Sequence, residues 1–313
     1  MKVYQSTEDI PVFRQAVITI GTFDGVHLGH QQILAQLKAE AGRIGGETVI
    51  VTFHPHPRKV VAGNRQPILL INTIAEKISL LEQNGIDHLV IVPFTPEFSQ
   101  LTPHEYVDSF LVRRFHPHTV IIGYDHRFGQ GREGDYRLLE QYSAEFGFQL
   151  KEIPAQVIEE NTVSSTRIRE AVLNGQITMA NALLGYDFFF SGIVVPGDRL
   201  GRTIGFPTAN IQVTEAEKLV PGNGVYVVEI TIDGFPGSYQ GMMNIGTRPT
   251  VDGRTRKIEV NIFGFDADIY GRPVRVQVKK YLRGEQKFSG LDALKAQLAS
   301  DRENALAAFR RSS

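Results

Sequence analysis

The hydrophobic pattern of the chain changes near residue 185, and this change constrains the fold more than any other feature. Before it, short runs of β-branched residues alternate with helical patterns. The run Val17–Ile20 is β-branched throughout and is followed by a helical pattern over 27–43. Strands that are apolar on both faces and alternate with helices are typical of a parallel, doubly wound sheet. The expected strands are 17–20, 48–53, 88–94, 119–123 and 148–153, and the expected helices are 27–43, 73–84, 103–115, 135–146 and 165–174.

After residue 185, strand-like runs follow one another without intervening helices. Glycine and proline turns separate them, and one apolar helical pattern closes the chain. Such a succession favours an antiparallel barrel or sandwich. The sequence thus predicts two domains, an α/β domain at 1–185 and a β domain at 186–313. The expected strands of the second domain are 188–195, 224–232, 238–245, 257–263 and 274–281.

The composition excludes several kinds of chemistry. The 313 residues include no cysteine, which excludes disulfides, thiolate metal sites, iron–sulfur clusters and a cysteine nucleophile. The net charge of −1 argues against broad nucleic-acid binding. The longest apolar runs are strand-sized, and the N-terminus lacks the apolar stretch of a signal peptide. We expect a cytoplasmic protein with no membrane or nucleic-acid partner, and no obligate protein partner is implied.

The most informative segment follows the first expected strand and has the sequence Gly-Thr-Phe-Asp-Gly-Val-His-Leu-Gly-His over 21–30. Helix N-termini present unpaired N–H groups, so anions bind there. His27 and His30 are three residues apart and project from one face of the first turn, where imidazoles can donate to phosphate oxygens. Gly29 between them leaves room for the close approach of a nucleotide.

Two other interpretations of these histidines remain open. A short His-x-Gly-His sequence also occurs at ordinary surface helix starts. His54 and His56, which follow the next strand, could join the pair in a metal site, although no acidic ligand at suitable spacing supports this. The full ten-residue string after a strand is more specific than its last four residues, which favours a phosphate site.

A second candidate anion site has the sequence Val-Ser-Ser-Thr-Arg-Ile-Arg over 163–169. Ser164 or Ser165 can cap the helix that follows. Arg167 and Arg169 fall in its first turn, where cations oppose the helix dipole and lower stability. An anion bound between them would explain their presence, while an ordinary capped helix is the alternative.

Residues 129–134 match the Gly-x-Gly-x-x-Gly pattern of dinucleotide-binding units, and Glu152 lies about 20 residues further on. However, five residues separate the pattern from the preceding strand, which is the fourth of its domain rather than the first. The sequence therefore favours a mobile substrate loop over a nicotinamide-linked oxidoreductase.

These segments resemble the nucleotidyltransferase superfamily. Within it, Thr-Phe-His-Pro-His-Pro at 52–57 and Ile-Ile-Gly-Tyr-Asp-His-Arg-Phe-Gly-Gln-Gly at 121–131 resemble the FMN adenylyltransferase module of prokaryotic FAD synthetases. The resemblance covers about residues 15–185, and it implies that the FMN phosphate attacks the α-phosphorus of ATP while the protein aligns and neutralises charge. His126 departs from the phenylalanine of many relatives. The resemblance implies that His27 and His30 are catalytic, that Gly21, Phe23, Asp24, Gly29, Asp125, Ser164, Thr166 and Arg169 bind ATP, and that His54, Pro55 and Arg58 bind flavin.

The β-rich half opens with Gly-Asp-Arg-Leu-Gly-Arg-Thr-Ile-Gly-Phe-Pro-Thr-Ala-Asn over 197–210. Three glycines and two arginines in a loop suit a flap over phosphates. Thr208 and Asn210 are two residues apart, so both oxygen-bearing side chains lie on one face of an extended segment, where they could bind Mg²⁺. A glycine- and proline-rich hairpin with a polar strand end is the alternative.

This string is similar to the riboflavin kinase signature, as are the segments at 244–246, 257–263 and 268–271. The resemblance covers about residues 186–310 and implies a six-stranded Greek-key β-barrel with a C-terminal helix. It implies that Glu259 is the base for the ribityl 5′-hydroxyl, although a solvated position on a strand face is the alternative. The other implied roles are Mg²⁺ ligands at Thr208 and Asn210, ATP binding at Gly197, Arg202 and Gly205, and flavin binding at Asn244.

Together the two resemblances imply a Rossmann-like nucleotidyltransferase domain followed by a kinase barrel. Such an enzyme converts riboflavin to FMN and FMN to FAD, with ATP as co-substrate and Mg²⁺ as cofactor. All nine histidines lie between His27 and His126, which fits imidazole–phosphate contacts in the first half alone. One rival is a nucleotidyltransferase for another phosphorylated substrate. The other is a flavin-binding regulatory protein, against which Glu259 argues because a binder needs no base.

Overall fold

The chain divides into two compact units, Met1–Ser165 and Thr166–Ser313. Two helices between residues 165 and 184 belong mainly to the second unit, and the expected domain boundary near residue 185 stays a prediction. The computed structural model describes residues 1–61, 68–123, 126–153, 163–197, 200–250 and 253–312.

The first unit is built on a six-stranded parallel sheet with the order β1-β4-β3-β2-β5-β6. Every residue of β2 is buried, as expected for a strand that is covered on both faces. The strand order reverses between β2 and β5, and ligands of doubly wound sheets bind outside the carboxyl ends of strands at such a point. The strands are β1 (Lys2–Tyr4), β2 (Val17–Ile20), β3 (Thr48–His54), β4 (His88–Pro93), β5 (Thr119–Gly123) and β6 (Gln149–Ile153).

Polar side chains define where several helices of this unit begin. Thr73 and Glu76 form a capping box at α3, and Thr102 and Glu105 form another at α5. Asp135 accepts the N–H of Leu138 at the start of α6. The helices are α1 (Leu28–Ile44), α2 (Pro57–Val61), α3 (Ile74–Gln83), α4 (Pro96–Ser99), α5 (103–115) and α6 (Tyr136–Phe146).

The expected helix over 103–115 is present, but its central part, Tyr106–Val112, is π-helical. This segment buries Tyr106, Val107, Phe110 and Leu111. The four side chains pack in one core with apolar residues of β2, β3 and β5. The wider helical turn thus lies against the sheet beside its switch point.

The second unit contains a closed barrel with the strand order β10-β11-β8-β7-β12-β9, and every pair is antiparallel. Strands β9, β10 and β11 are consecutive neighbours, and β12 returns to lie beside β9, which is a Greek key. The expected six-stranded Greek-key barrel is confirmed. Its strands are β7 (Phe189–Val195), β8 (Ala209–Gln212), β9 (Gly224–Ile232), β10 (Tyr239–Thr250), β11 (Gly253–Ile262) and β12 (Pro273–Arg283), and the helices are α7 (Ser165–Leu173), α8 (Ile177–Leu184), α9 (Leu200–Thr203) and α10 (Leu291–Ser312).

Helix α10 packs against the outside of the barrel. Its buried Ala305 contacts a cluster that includes Val227 of β9 and Met242 of β10. Arg283, the last residue of β12, donates three hydrogen bonds of 2.6–3.1 Å to the carboxylate of Asp301 on the helix. The expected C-terminal helix is therefore held by apolar contacts and by one buried ion pair. Among the helices that the structure describes, none is long and apolar enough to cross a bilayer.

Candidate active sites

The segment after β2 turns sharply before α1. Gly21 donates its N–H to the carbonyl of Val51 at 3.0 Å, which keeps the start of the turn beside β3. Phe23 and Val26 have φ angles of 46° and 37°, and Gly25 has 93°. A positive φ is costly for residues that carry a β-carbon, so neighbouring groups must hold this turn in place. The turn lies at the carboxyl edge of the sheet, at the switch point.

The two predicted histidines meet at the start of α1. His27 is the N-cap, and its Nδ1 accepts the N–H of His30 at 3.4 Å. The two rings stack with centroids 3.7 Å apart and planes inclined by 16°. The Nδ1 atom of His30 is buried and has no hydrogen-bond partner among the described residues. Because this unpartnered nitrogen lies at the edge of the sheet where ligands bind, a bound substrate could supply its hydrogen-bond partner.

Both imidazoles are neutral at pH 7. Burial lowers the pKa of His27 to about 4, against the opposing effect of the Asp24 carboxylate. Burial also holds the pKa of His30 well below its usual value, and electrostatic repulsion from the neighbouring His27 and Lys77 lowers it further. A neutral imidazole keeps one N–H donor and one acceptor.

Asp24 is buried and ties the turn to the chain that leads into α3. Its Oδ1 accepts the N–H groups of Ile71 and Asn72 at 2.9 and 3.3 Å. The hydroxyl of Ser165 donates to the backbone carbonyl of Asp24 at 2.9 Å. The structure therefore brings Ser165, from the second candidate anion site, to the first motif.

The remaining residues of that second motif lie around the start of α7. Ser164 is exposed and precedes the helix, Thr166 is exposed in its first turn, and Arg169 is half-buried. Their expected contacts with the ATP phosphates stay predictions. Asp125, the other expected residue of the nucleotide pocket, lies outside the described residues.

Sequence reasoning missed a buried lysine beside the histidines. Lys77 of α3 is 7% exposed, and its Nζ donates to the carbonyl of Thr22 at 2.6 Å and lies 3.4 Å from the hydroxyl of Thr52. Burial lowers the pKa of Lys77 to about 8, although the Asp24 carboxylate acts in the opposite direction. The signal was present in the sequence, because Lys77 falls on the apolar face of α3, where a charged residue is unexpected.

The residues expected to bind flavin follow β3. His54 ends this strand, Pro55 follows it through a cis peptide bond, and Arg58 lies in α2. His54 and Arg58 are exposed. Three aromatic side chains that the sequence analysis did not select lie at the same edge, with ring centroids 5.4–5.5 Å apart: Phe53, Phe94 and Phe98.

The departure at His126 preserves an aromatic contact. Its ring stacks on Phe128 with centroids 6.1 Å apart and planes inclined by 26°. Phe128 in turn stacks on Tyr106 of the π-helical segment. An imidazole can therefore occupy this position without loss of ring packing.

The alternative sites suggested by the sequence have other geometries. Phe128 and Gly134 exchange two backbone hydrogen bonds, which close the glycine-rich loop on itself. A dinucleotide-binding loop instead leads directly from a strand into a helix. In the described part of the chain, no three His, Asp or Glu side chains form a cluster suited to a metal ion.

In the barrel, three predicted site residues occupy one row across adjacent strands. Asn210 of β8 lies directly opposite Glu259 of β11, and Glu259 lies directly opposite Asn244 of β10. Cross-strand partners have β-carbons about 4.5–5.5 Å apart on the same face of a sheet. The neighbours Ile258 and Val260 are buried in the barrel, so this row faces outward. The predicted metal ligand, base and flavin contact are thereby brought together.

The glycine-rich loop packs directly against the predicted metal ligands. A β-carbon on Gly197 would overlap the side-chain amide of Asn210. A β-carbon on Gly201 would overlap the Phe206 carbonyl and lie 3.5 Å from the hydroxyl of Thr208. Only glycine fits so close an approach of the loop to these side chains.

The other residues of this loop complete the arrangement. Arg202 is exposed on α9, and Gly205 has a φ of 81° after it. The side-chain amide of Asn261 donates to the Pro207 carbonyl at 2.6 Å, which fixes the entry into β8. Thr208 is exposed immediately before that strand, and Asn210 is half-buried within it.

Comparisons with known proteins match two successive parts of the chain to two families. The FAD synthetase family model matches residues 9–167, and the riboflavin kinase family model matches residues 184–309. The bifunctional riboflavin kinase/FMN adenylyltransferase of Escherichia coli (strain K12) is 39% identical over 285 residues, which are 91% of this chain and 90% of the relative. The protein of the same description from Bacillus subtilis (strain 168) is 35% identical over 94% of this chain and 93% of its own. A crystal structure described as a macrolide-efflux protein from Streptococcus pneumoniae superposes with a TM-score of 0.86 and 32% identity, over 96% of this chain and 97% of that chain.

Proposed function

The chain belongs to the bifunctional riboflavin kinase/FMN adenylyltransferase family, and from this premise we propose how its residues divide the two reactions. The enzyme phosphorylates riboflavin to FMN and adenylylates FMN to FAD, with ATP as co-substrate in each step. We assign adenylyl transfer to residues 1–185 and phosphorylation to residues 186–313. The observation that carries this division is that the histidine pair and the Glu259 row lie in separate compact units.

In adenylyl transfer, a phosphate oxygen of FMN bonds to the α-phosphorus of ATP, and the bond to the β-phosphate breaks to release pyrophosphate. No protein nucleophile takes part, so the protein acts by alignment and by stabilising charge. In our proposal, His27 and His30 donate hydrogen bonds to the ATP phosphates at the positive end of the α1 dipole. The stacked rings and the unpartnered Nδ1 of His30 support this role.

The surrounding residues shape the nucleotide site. Gly21 and Gly29 allow the phosphates to approach the backbone, while Phe23 and Asp24 hold the turn. The roles of Asp125, Ser164, Thr166 and Arg169 in ATP binding rest on their sequence motifs. For the flavin ring, we propose contacts from His54, Pro55 and Arg58, to which the neighbouring aromatic side chains of Phe53, Phe94 and Phe98 add apolar surface.

In the kinase reaction, Glu259 accepts the proton of the ribityl 5′-hydroxyl as its oxygen bonds to the γ-phosphorus and the bond to ADP breaks. Asn244, directly opposite Glu259, holds the flavin side chain. Gly197, Arg202 and Gly205 cover the phosphates.

The same part of the barrel supplies hard oxygen donors that suit Mg²⁺. Thr208 and Asn210 offer a hydroxyl and an amide oxygen beside the Glu259 carboxylate. We propose that these two residues hold the ion, which when bound neutralises charge on the ATP phosphates.

We place the enzyme in the cytoplasm, because both reactions consume ATP. We also propose that it works without a membrane, a nucleic acid or an obligate protein partner. The net charge of −1 supports the absence of a nucleic-acid partner.

Separate assays test the division of roles. FAD formation is measured from supplied FMN and ATP, and FMN formation from riboflavin and ATP, both with Mg²⁺ and by chromatography. His30→Ala should lower FAD formation by roughly 10²–10³-fold and leave FMN formation unchanged. Glu259→Gln should lower FMN formation by roughly 10²–10⁴-fold and leave FAD formation from FMN unchanged.

Two variants of exposed residues serve as controls. His104→Ala and Glu303→Gln remove the same kinds of group at exposed positions that neither proposed site includes, and they should retain both activities. Equal loss of both products in a folded His30→Ala or Glu259→Gln variant would contradict the assignment.

A further inference from the structure

The ammonium group of Lys77 lies in the interior of the first unit, within reach of the proposed adenylyl-transfer site. Its side chain is 7% exposed, and Nζ donates to the Thr22 carbonyl at 2.6 Å. Removal of an ammonium group from water costs several kcal/mol unless charges and hydrogen bonds compensate it. A lysine buried to this extent lowers stability, so the packing of α3 alone does not explain its presence.

The contacts of Lys77 join three parts of the site. Thr22 lies in the turn itself, between Gly21 and the left-handed Phe23, and Thr52 belongs to the neighbouring strand β3. The carboxylate of Asp24, in the same turn, is the opposite charge that acts on Lys77. The ammonium thus supports a backbone segment whose φ angles are unfavourable without such contacts.

The charge of Lys77 also acts on His30. Its effect on His30 adds to that of burial and keeps the imidazole neutral. In a buried environment of low effective dielectric constant, a fixed positive charge interacts more strongly with a bound polyanion than it would in water.

We propose that Lys77 is a positioning residue for adenylyl transfer, which fixes the turn at 21–27 through the Thr22 carbonyl and supplies a fixed positive charge beside His30. The inference rests on the proposed assignment of His27 and His30 to this reaction. As pyrophosphate leaves, negative charge grows on the bridging oxygen, and a preorganised positive charge stabilises it without reorganisation. The contribution therefore falls on kcat for FAD formation more than on the KM for ATP.

Two variants separate the charge from the hydrogen bond. Lys77→Gln keeps an N–H donor, one bond shorter than the lysine, but removes the charge, and Lys77→Met removes both. A purely structural role predicts that Lys77→Gln restores activity. Our proposal predicts that both variants lower kcat for FAD formation by roughly 10–100-fold, less than the loss of a donor in direct contact with the transition state, with the KM for ATP changed less than about threefold.

A titration of His30 gives a readout that does not depend on turnover. Loss of the neighbouring positive charge should raise the pKa of His30 in both variants, as measured from its imidazole resonances by NMR. The resonance is assigned by its absence in His30→Ala. The pH profile provides a further check, since FAD formation by the wild type should fall above about pH 8 as Lys77 loses its proton. Two ionisable groups of the turn before α1 act on this pair: Asp24 acts on Lys77, and His27, together with Lys77, acts on His30.

Controls distinguish failure of this inference from failure of the site assignment. Lys38→Met removes an exposed lysine on α1 and should leave kcat unchanged. If His30→Ala retains FAD formation, the site assignment itself is wrong. If His30→Ala loses it while Lys77→Gln keeps the wild-type kcat, or if the His30 pKa is unchanged in Lys77→Gln, the role of Lys77 is overturned. FMN formation in the same preparations reports only on the barrel, so far-UV circular dichroism and thermal unfolding of each variant report whether the first unit is folded.

Discussion

Removal of the Arg283 guanidinium should loosen α10 from the barrel. Arg283 donates three hydrogen bonds to Asp301, whose side chain is 3% exposed, and Gln297 donates a further one at 2.9 Å. Loss of one partner of a buried ion pair costs about 3–5 kcal/mol, because the other charge stays buried and unpaired. The Gln297 bond remains and Arg283 is 18% exposed, which favours the lower end. Arg283→Met should therefore lower the unfolding free energy of the second unit by about 3 kcal/mol.

For a unit of this length, the loss corresponds to a fall of roughly 6–12 °C in melting temperature. Far-UV circular dichroism is the suitable assay, because the chain contains no tryptophan. Arg310→Met removes an exposed arginine from the same helix and should change stability by less than about 0.5 kcal/mol. The double variant Arg283→Met/Asp301→Leu should regain much of the loss, since it also removes the unpaired carboxylate. Equal melting temperatures of Arg283→Met and Arg310→Met would refute the reasoning.

Two further predictions concern pH and loop packing. Hydrogen bonds from Arg43 and Lys151 lower the pKa of Glu40 to about 2, so the stabilisation by its carboxylate is complete above pH 4.5 and is lost as the pH falls towards 2. The unfolding free energies of the wild type and Glu40→Gln, measured in urea, should therefore differ at pH 7 and converge near pH 2. A difference that stays constant with pH would contradict this. Gly197→Ala should displace the Asn210 side chain and lower FMN formation by roughly 10²-fold, with FAD formation from supplied FMN unchanged. Gly290→Ala, whose added carbon meets no atom within 4 Å, should keep both activities.

The sequence predicted best those elements whose signal is local and strong. The central strands of the first sheet are apolar on both faces, and the patterns of α1 and α10 are long, so all of them were expected within a few residues. Strand β1 was missed because it is a three-residue edge strand without a buried residue. Helix α8 was missed because it is short and has no side-chain cap. The π-helical turn of α5 depends on packing against the sheet, which local periodicity does not encode.

The candidate sites show the same limit of prediction from local sequence patterns. Motifs supplied His27, His30, Glu259 and the glycine-rich loops as candidates, but not their distances. Lys77 was marked in the sequence only as a charge on the apolar face of α3, and its contact with Thr22 depends on where α3 packs. The three aromatic side chains beside His54 come from separate elements and meet only in the folded sheet. Spacing in sequence therefore identifies residues that act within one turn, whereas residues that meet across elements require the tertiary structure.

The outward-facing row of the barrel has a consequence for how activity is acquired during folding. Asn210 and Glu259 lie 49 positions apart in the chain, and β8 pairs with β11 through only two residue pairs. Pairing of such distant segments carries a large loop-closure entropy and forms slowly. The hairpin between β10 and β11, which joins Asn244 to Glu259, is local and can form early. The proposed metal-binding side of the kinase site is therefore completed only when β8 pairs with β11, so we expect FMN synthesis in a refolding chain to return with that pairing.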